Sequence, residues 1–523
     1  MRPLFPSLLL ITSMIGSHAL ADWPQWRGPD RNGVAPESAK LPDLFPEDYA
    51  PLEVWRSIEI PSDHYGGHGS VSVAAGKVYL SIVWHRDEPT ETRRIDSSVL
   101  STLGYRGTQA LAPEIREKME TDRMNLSRRL RGAALDEWSK KWVEENIDEK
   151  TQLSLGSWIQ SRFKKGQAAI PLSVYDTLRT VSNKTFANQA EVEAWVTEQN
   201  FAPEIHDQII KAIPSTKKVA DDVILCLDAK TGEEVWRFST PGSPSGRGSS
   251  STPAIAHGKV FAALSDHLYG VDAETGEEIW RSPLEGKKGP ASSPLVVGER
   301  IFLHQNRLTA FDVATGKELW VNQEVKGANS SPAAWNNLIL SNSQKGLYAT
   351  DIESGATLWS VSGGGDGTPV VSGDHVIVSS KTEGENLIAY RLKENTGPEK
   401  LWSHSFLARR YGSSPIVDDG KVFHLGSNRH LCLSLENGKI LWDREASSAI
   451  SSPILADGKL LVYENRGGFA HMLSTSGEEY QSLGRAKIGA LYCASPAIVG
   501  NEVFLRTKDS VVCYRFEEPN EVE

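Results

Sequence analysis

Apolar and polar positions alternate in short runs along most of this chain, and the runs recur at a nearly fixed spacing. The clearest copy is VDAETGEEIW, from Val271 to Trp280. A small-residue and proline step, an apolar run, a turn and a second apolar run precede each copy. Such alternation predicts β-strands. The Thr275-Gly276 pair predicts a hairpin turn in which glycine supplies the positive φ. Each period therefore predicts four short strands.

The copies recur every 38 to 44 residues and end in an aromatic residue. They end at Trp236, Trp280, Trp320, Trp359, Trp402 and Trp442, with a degenerate copy at Tyr480 and a separate one at Trp55. A four-stranded period of about 40 residues is typical of a β-propeller blade. On the outermost strand, tryptophan is large enough to fill the gap between neighbouring sheets.

Counting the repeats predicts eight blades. The step before a first strand occurs at Pro253, Pro294, Pro332, Pro369, Pro415, Pro453 and Pro496, and without proline near Ser70. The last repeat supplies only three strands, so we expect the Trp55 strand to complete it and close the ring, which removes exposed sheet edges. The predicted fold class is all-β, an eight-bladed β-propeller of four-stranded blades with an α-helical insertion in the first blade.

The insertion is predicted at residues 87–221, where apolar residues recur at three- and four-residue spacing. Asn188 with Glu191 resembles a capping box, and Pro203 suits a first helical turn. Propeller strands flank the segment on both sides, so it should join the second and third strands of one blade. That connection lies on the same face as the residues that precede each first strand. We therefore expect the insertion beside or over the channel mouth.

The N-terminus predicts export. Residues 1–21 contain one positive charge at Arg2, an apolar run and the small-x-small ending of a secretory signal peptide. Asp22 follows the predicted cleavage site, so no cysteine there carries a lipid anchor, and no later run reaches about 18 apolar residues. We expect an exported, periplasmic or secreted protein with neither a membrane span nor a lipid anchor. The other predicted segments are an extended region at 22–52, the propeller at 53–86 and 222–516, and a tail at 517–523.

Charge and cysteine content narrow the function classes. The formal net charge is −11, which disfavours nucleic acid as a partner. Cys226, Cys432 and Cys513 occupy matching third-strand positions. This pattern favours buried free thiols over a disulfide framework, although export permits pairing.

Residues that precede first strands should ring one mouth of the central channel. They include His68, Asn329 and Asp366, and slightly earlier lie Arg247, Lys288, Lys326 and Arg409. These four basic residues, which we call the collar, would attract an anionic small molecule or protein partner. The alternative interpretation is that they are solvated loop charges, since a fold alone does not establish a site.

Two further motifs have weaker interpretations. His64 and His68, in DHYGGHG, have a spacing compatible with metal ligation, but two histidines without a third clear ligand are more often hydrogen-bonded loop residues. GGGDGT, from Gly363, leads into a strand and not a helix, so a turn is expected there instead of a phosphate site. A hydrolase or lyase using the histidine loop would need a nucleophile or paired carboxylates, which the sequence motifs do not identify.

The repeated D-A-x-T-G-x-x-x-W, with its preceding S-x-P step, resembles the pyrroloquinoline-quinone (PQQ) propeller repeat of quinoprotein alcohol dehydrogenases and of the outer-membrane barrel-assembly lipoprotein. The resemblance covers most of 53–86 and 222–516. The opening WPQWRGPDRNG is similar to that of a group of exported bacterial propellers. The resemblance implies the eight-bladed fold, but it does not by itself imply that a cofactor is bound.

The chain departs from both relatives. The enzymes place an adjacent cysteine pair over the quinone, whereas the four cysteines here are far apart, and their calcium-binding and catalytic acidic residues have no matching motif. The missing anchor cysteine departs from the lipoprotein. We therefore expect an exported, non-catalytic module that binds a ligand or acts as a protein scaffold. The alternative is a divergent quinoprotein alcohol or sugar dehydrogenase with PQQ and calcium, in which the collar holds quinone carboxylates and Asp366 acts as base.

Overall fold

A computed structural model describes residues 22–36, 40–61, 66–127, 129–244, 250–285, 291–327, 330–394, 396–406, 412–449, 451–464, 468–491 and 493–517, with backbone alone at 427, 428 and 447–449. The predicted signal peptide at 1–21 lies outside the described residues, as does 518–523 of the predicted tail.

More of the described residues lie in strands than in helices. In chain order they are β1 (Leu52–Arg56), β2 (Ser72–Ala74), β3 (Lys77–Pro89), β4 (Thr216–Asp228), β5 (Glu234–Pro241), β6 (Ala254–Ala256), β7 (Lys259–Leu264), β8 (His267–Asp272), β9 (Glu278–Pro283), β10 (Leu295–Val297), β11 (Arg300–Gln305), β12 (Arg307–Asp312), β13 (Glu318–Lys326), β14 (Ala333–Trp335), β15 (Leu338–Asn342) and β16 (Leu347–Asp351). They continue with β17 (Thr357–Val361), β18 (Val370–Ser372), β19 (His375–Thr382), β20 (Glu385–Arg391), β21 (Glu399–His404), β22 (Ile416–Asp418), β23 (Lys421–Ser434), β24 (Ile440–Ala449), β25 (Ile454–Ala456), β26 (Lys459–Glu464), β27 (Phe469–Ser474), β28 (Ser482–Lys487), β29 (Ala497–Val499), β30 (Glu502–Arg506) and β31 (Val511–Arg515).

These strands form eight antiparallel sheets, which we number as blades one to eight in the order of their first strands. The blades are β2–β5, β6–β9, β10–β13, β14–β17, β18–β21, β22–β24, β25–β28 and β29–β31 with β1. In blade six, β23 folds back on itself and supplies both the second and the third strand. The Leu435 N–H donates to the Gly420 carbonyl oxygen (2.8 Å), which brings the two ends of this segment together. The prediction of eight four-stranded blades is confirmed.

The N-terminal strand closes the ring. β1 pairs with β31, with Trp55 opposite Cys513 and Arg56 opposite Val512. Blade eight therefore combines both ends of the chain, as the strand count predicted. Blade eight is therefore complete where the two ends of the chain meet. Closure of the ring depends on pairing between residues more than 450 positions apart in sequence.

The repeated tryptophans join neighbouring blades. The indole N–H of Trp55 donates to the Ala229 carbonyl oxygen of blade one (2.9 Å), and that of Trp236 donates to the Ala273 carbonyl oxygen of blade two (3.2 Å). Trp55 lies against Gly232 and Trp236 lies against Gly276, the glycines of the next D-x-T-G turns, and Gly276 has φ +75. The predicted roles of the tryptophan and of the turn glycine are both confirmed.

Blade seven departs from this pattern and corrects one prediction. Met472 pairs with Gly484, as Gly270 pairs with Trp280 in blade two, so Gly484 occupies the tryptophan position. Tyr480, predicted to end this fourth strand, lies before it and packs edge-on against Trp442. The prediction was wrong because it placed Tyr480 by its spacing in the sequence, whereas the backbone pairing of the strands places Gly484 at the tryptophan position.

A residue from the N-terminal region fills the gap that Gly484 leaves. The Phe45 N–H donates to the Leu483 carbonyl oxygen (2.6 Å), and the Phe45 backbone and Cβ occupy the space that a side chain on Gly484 would need. The Phe45 ring stacks on Tyr49 (4.6 Å between centroids) and contacts Phe516 of blade eight (5.4 Å). A segment distant in sequence therefore replaces the missing tryptophan between blades seven and eight.

The insertion lies between β3 and β4, as predicted, and contains α1 (Ser97–Thr102), α2 (Pro113–Met124), α3 (Ala133–Asn146), α4 (Glu149–Lys165), α5 (Leu172–Arg179), α6 (Gln189–Glu198) and α7 (Pro203–Ala212), with 3₁₀ turns at Thr108–Ala110 and Gly166–Ala168. Asn188 caps α6 by accepting from the Glu191 N–H (3.0 Å). The helices enclose a hydrophobic core drawn only from residues between Ile95 and Ile213. Within the described part of the chain, none of the helices has the length and apolar character needed to cross a membrane.

The insertion leaves from the face that carries the residues preceding the first strands, which we call the mouth face. First and second strands are antiparallel, so the end of β3 lies on the same side as the start of β2. β3 and β4 stay paired to Pro89 and Thr216. The two strands therefore form a ribbon that carries the helices away from the mouth face.

Candidate functional site

Hydroxyl groups link the innermost ends of the blades around the channel. At seven of the eight junctions between blades, the backbone N–H of the small residue that precedes the first strand donates to the corresponding hydroxyl of the next blade. The steps are Ser70 to Thr252 (3.0 Å), Thr252 to Ser293 (2.9 Å), Ser293 to Ser331 (2.9 Å), Thr368 to Ser414 (3.0 Å), Ser414 to Ser452 (3.0 Å), Ser452 to Ser495 (2.9 Å) and Ser495 to Ser70 (2.9 Å). All of these residues are buried. The recurring small residue therefore supplies a short hydroxyl acceptor where the blades converge.

The N-terminal segment 22–36 fills the channel. Trp23 pairs with Val73 of β2 through both backbone hydrogen bonds (2.8 and 2.9 Å). The Ile255 N–H of β6 donates to the Pro24 carbonyl oxygen, and the Leu455 N–H of β25 donates to that of Gly33 (2.8 Å each). All three strands are first strands, which line the channel. We call residues 22–36 the plug.

Two buried arginines hold the plug to the blades. Arg27 donates to the carbonyl oxygens of Ser414 (2.8 Å) and Pro415 (2.6 Å) in blade six. Arg31 donates to those of Ser293 (3.1 Å) and Pro294 (2.7 Å) in blade three. Each arginine is 2% exposed, and desolvation lowers the pKa of both guanidinium groups to about 9.

Trp26 completes the contact between the plug and the hydroxyl ring. Its indole N–H donates to Thr368 Oγ1 (3.0 Å) in blade five. The plug therefore bonds to first-strand residues all around the axis, and its position was missed by the sequence analysis. The WPQWRGPDRNG motif has no strand or helix periodicity, so no local pattern indicated that its two arginines are buried.

Most of the predicted mouth residues lie outside the described part of the chain. His64, Arg247, Lys288, Asn329 and Arg409 fall in that category. Lys326 is exposed at the end of β13, and His68 is buried with its backbone N–H donating to Ser250 Oγ (3.1 Å). A single cavity shared by the collar, His68, Asn329 and Asp366 therefore stays a prediction.

Asp366 forms an ion pair at the mouth face. Its Oδ2 lies 2.6 Å from Lys381 Nζ, and the Lys381 N–H donates to the Gly364 carbonyl oxygen (2.7 Å). Asn342 fixes the same loop: its Oδ1 accepts from the Gly364 N–H (2.7 Å) and its Nδ2 donates to the Gly367 carbonyl oxygen (3.2 Å). GGGDGT is thus the turn that the sequence predicted, and a lysine already neutralises its carboxylate.

The described residues do not fit a site for PQQ and calcium. Calcium needs several oxygen ligands, and within the described ranges no three His, Cys, Asp or Glu side chains gather where they could hold a metal ion. The Asp366 carboxylate is paired with Lys381. The arginines and hydroxyls near the axis already bond to protein oxygens and backbone N–H groups. We therefore assign no step to this cofactor.

The cysteines serve the blade cores. Cys226, Cys432 and Cys513 are fully buried free thiols, each opposite the tryptophan of its own blade. Burial raises the pKa of the three buried thiols to about 12. They are therefore unreactive packing residues at neutral pH.

One buried carboxyl group lies between blades one and two. Asp222 of β4 is fully buried and accepts hydrogen bonds from the Tyr269 hydroxyl (2.9 Å) and from Ser265 Oγ. Desolvation raises the pKa of Asp222 to about 6. Its charge therefore changes near the lower end of the physiological pH range.

Comparison with known proteins gives the family. A family profile described as outer membrane protein assembly factor BamB matches residues 220–397 and 385–518, which together exceed half of the chain. No match is found among curated proteins.

Three solved structures illustrate the structural similarity. BamB from Moraxella catarrhalis is 18% identical, with 57% of this chain and 90% of that chain covered at a TM-score of 0.46. A quinohemoprotein alcohol dehydrogenase from Comamonas testosteroni is 12% identical, with 58% and 74% covered at 0.40. A europium-containing methanol dehydrogenase is 13% identical, with 56% and 81% covered at 0.41. At these scores the likenesses carry no argument about activity. On its repeats, its blades and the profile match, the chain belongs to the PQQ-repeat β-propeller family.

Proposed function

We propose that this chain is an exported propeller that acts as a binding or scaffold module, without catalysis at its channel mouth. The plug is the observation that carries this proposal. Arg27, Arg31 and Trp26 direct their polar groups to blade atoms, so the axis offers few unused groups to a cofactor. Recognition is then left to the loops of the mouth face and to the insertion.

The collar gives this module its ligand class. Arg247, Lys288, Lys326 and Arg409 precede first strands in blades two, three, four and six, so we expect these four residues at one face. In this proposal they attract an anionic small molecule or an acidic surface of a protein partner. The helical insertion, carried by the ribbon from the same face, stands beside that partner. The alternative of a quinoprotein dehydrogenase rests on the family repeat, and the poor fit of the described residues argues against it.

Tripolyphosphate is a suitable probe of the collar, with binding followed by calorimetry at low and high salt. Changing Arg247 and Lys288 together to alanine should weaken binding at least tenfold at low salt and flatten its salt dependence, because screened charge attraction has been removed. Thermal stability should change little, since exposed charges contribute about 0–1 kcal/mol.

The matched control replaces Lys140 and Lys141 of α3, which are both 70% exposed on the insertion, with alanine. This variant loses the same net charge and should bind as the parent does. Equal binding by the collar variant and the parent would reject the collar as the site. Export is tested separately by N-terminal sequencing of the secreted protein, which should begin at Asp22.

A further inference from the structure

Three polar side chains of blade seven form a continuous hydrogen-bonded chain. Glu464 ends β26, His471 lies in β27 and Ser482 begins β28. His471 Nδ1 is 3.1 Å from Glu464 Oε1, and His471 Nε2 is 2.8 Å from Ser482 Oγ. Glu464 and His471 are each 2% exposed, whereas Ser482 is exposed to solvent. A buried acid and base thus lie behind an accessible hydroxyl.

The surroundings define the direction of these hydrogen bonds. Arg485 Nη2 lies 3.3 Å from Glu464 Oε1 and so favours the carboxylate. An ionised carboxylate only accepts hydrogen bonds, so His471 carries its proton on Nδ1 and Nε2 is left to accept from the Ser482 hydroxyl. The Gly484 N–H donates to Ser482 Oγ (3.3 Å) and helps to hold it in place. This is the order of donors that activates a hydroxyl through a base and an orienting acid.

The hydrogen-bonded group of Glu464, His471 and Ser482 is specific to blade seven. At the corresponding strand positions blade two has Leu264, Tyr269 and Glu278. Blade three has Gln305, Thr309 and Glu318. The propeller repeat therefore does not require a serine, a histidine and a glutamate there. The same blade is the one in which Gly484 replaces the tryptophan, so its outer strand differs in both packing and chemistry.

The backbone next to Ser482 leaves the regular strand pairing for one residue. The register passes from Leu473 opposite Ser482 to Met472 opposite Gly484, which leaves Leu483 in a bulge. The same bulge recurs in the other blades, as at Ile279 of blade two, so it belongs to the repeat, and the serine beside it is what distinguishes blade seven. The Leu483 N–H follows the hydroxyl directly, as the donor after the nucleophile does in many acyl-transfer enzymes. The half-exposed Arg485 guanidinium is a second positive group at this rim.

We propose that Ser482 is an activated nucleophile toward carboxylic esters that approach the rim of blade seven from solvent. Ser482 begins a fourth strand and so lies at the end of the blade opposite to the mouth face, which makes this nucleophile independent of the binding function proposed there. Ser482 Oγ bonds to the acyl carbon while its proton moves to His471 Nε2. The bond from the acyl carbon to the ester oxygen breaks, and Nε2 returns the proton to the leaving alkoxide. Water then attacks the acyl-serine by the same proton route, which releases a carboxylic acid and restores Ser482.

A fluorophosphonate probe tests the nucleophile on the full chain, with the labelled residue identified by mass spectrometry. We expect label on Ser482 and none at that position in Ser482→Ala. His471→Asn should slow labelling at least 100-fold, because general-base assistance contributes roughly 10²–10⁴-fold. Glu464→Gln should slow it less and shift its pH profile. p-Nitrophenyl acetate hydrolysis should fall in the same order.

The matched control is Ser476→Ala, which removes a nearby hydroxyl hydrogen-bonded to Ser474 and not to a histidine. It should label as the parent does. Thermal unfolding of each variant shows whether it is folded, and the parent chain gives an answer even where a variant is not. A folded parent that stays unlabelled would overturn the proposal, as would equal labelling of folded His471→Asn. Either outcome would make the three side chains a structural hydrogen-bond chain and would leave the collar proposal untouched.

Discussion

Trp280 of blade two donates its indole N–H to the carbonyl oxygen of Val313 in blade three, 3.2 Å away. The same indole lies over Gly316, where any Cβ would clash with the ring. Each T-G-x-x-x-W unit thus provides the glycine that receives the tryptophan of the preceding blade and the tryptophan that packs on the following one. The repeat persists because neighbouring copies depend on each other.

Replacing Trp280 with alanine should lower the free energy of unfolding by about 3–5 kcal/mol, the range for large-to-small changes in a core. Trp280 is 8% exposed and packs between two blades, whereas Trp138 of the insertion is partly buried against Phe163. Trp138→Ala should therefore cost less. Chemical denaturation of both variants gives the comparison, and equal losses would mean that the indole between blades is not a main support of the ring.

Gly276→Ala and Gly258→Ala separate backbone strain from steric conflict. Both glycines have positive φ, +75 and +68, so each substitution costs about 1–2 kcal/mol in backbone conformation. At Gly276 a Cβ would also lie 2.5 Å from Trp236, whereas at Gly258 nothing lies within 4 Å. Gly276→Ala should therefore lose about 1–3 kcal/mol more, as overpacked cores do. Matching denaturation midpoints for the two variants would contradict this account of the turn.

Arg27→Met tests whether the plug supports the ring. The substitution leaves the Ser414 and Pro415 carbonyl oxygens without their guanidinium donor, and an unsatisfied buried acceptor costs about 1–3 kcal/mol. Arg281→Met is the control, because Arg281 is exposed and pairs with Glu278 on one strand. That surface pair contributes about 0–1 kcal/mol. If Arg27→Met unfolds at the same denaturant concentration as Arg281→Met, the plug does not stabilise the blades.

Asp222 should make the free energy of unfolding depend on pH, in the direction opposite to that of most carboxylates in this protein. Its pKa is raised from 3.8 to about 6 in the folded protein. The folded state then holds the proton more tightly than the unfolded state does. The contribution of Asp222 to the free energy of unfolding is therefore full below pH 3.8 and is lost as the pH rises through 6. The shift corresponds to about 3 kcal/mol at 1.36 kcal/mol per pKa unit.

The measurement for Asp222 is denaturation of the parent and Asp222→Asn between pH 4 and pH 7. Asparagine keeps an acceptor for Tyr269 but cannot ionise. The variant should therefore gain stability relative to the parent as the pH rises, by about 2 kcal/mol over this range, because part of the full contribution is already lost at pH 4. A difference that stays constant with pH would show that Asp222 does not titrate there.

Periodicity was enough to predict the blades, because the D-x-T-G-x-x-x-W pattern is built from local turns and strand alternation. Periodicity also predicted that the Trp55 strand closes the ring, since that conclusion needs only a count of the first and fourth strands. The plug could not be predicted this way. Trp26, Arg27 and Arg31 acquire their roles from carbonyl oxygens more than 260 residues away, and no local pattern encodes those contacts.

The errors and omissions at blade seven have a related cause. Tyr480 occupies the place of the tryptophan in sequence spacing, but the turn between β27 and β28 is two residues longer than the turn between β8 and β9, because Leu473 pairs with Ser482 where Val271 pairs with Glu278. Gly484 therefore takes the tryptophan position. Glu464, His471 and Ser482 lie on three strands, so their association depends on the same register. A motif search along the chain does not detect a group that only strand pairing assembles.

The central claim is that the axis of this propeller serves binding or scaffolding and not quinone chemistry. Titration of the purified protein with PQQ in the presence of calcium, followed by absorbance, tests it most directly, with a dye-linked alcohol and sugar oxidation assay on the same sample. We predict no saturable absorbance change and no oxidation above a control without protein. Saturation at one quinone per chain, accompanied by oxidation that depends on Asp366, would contradict the account.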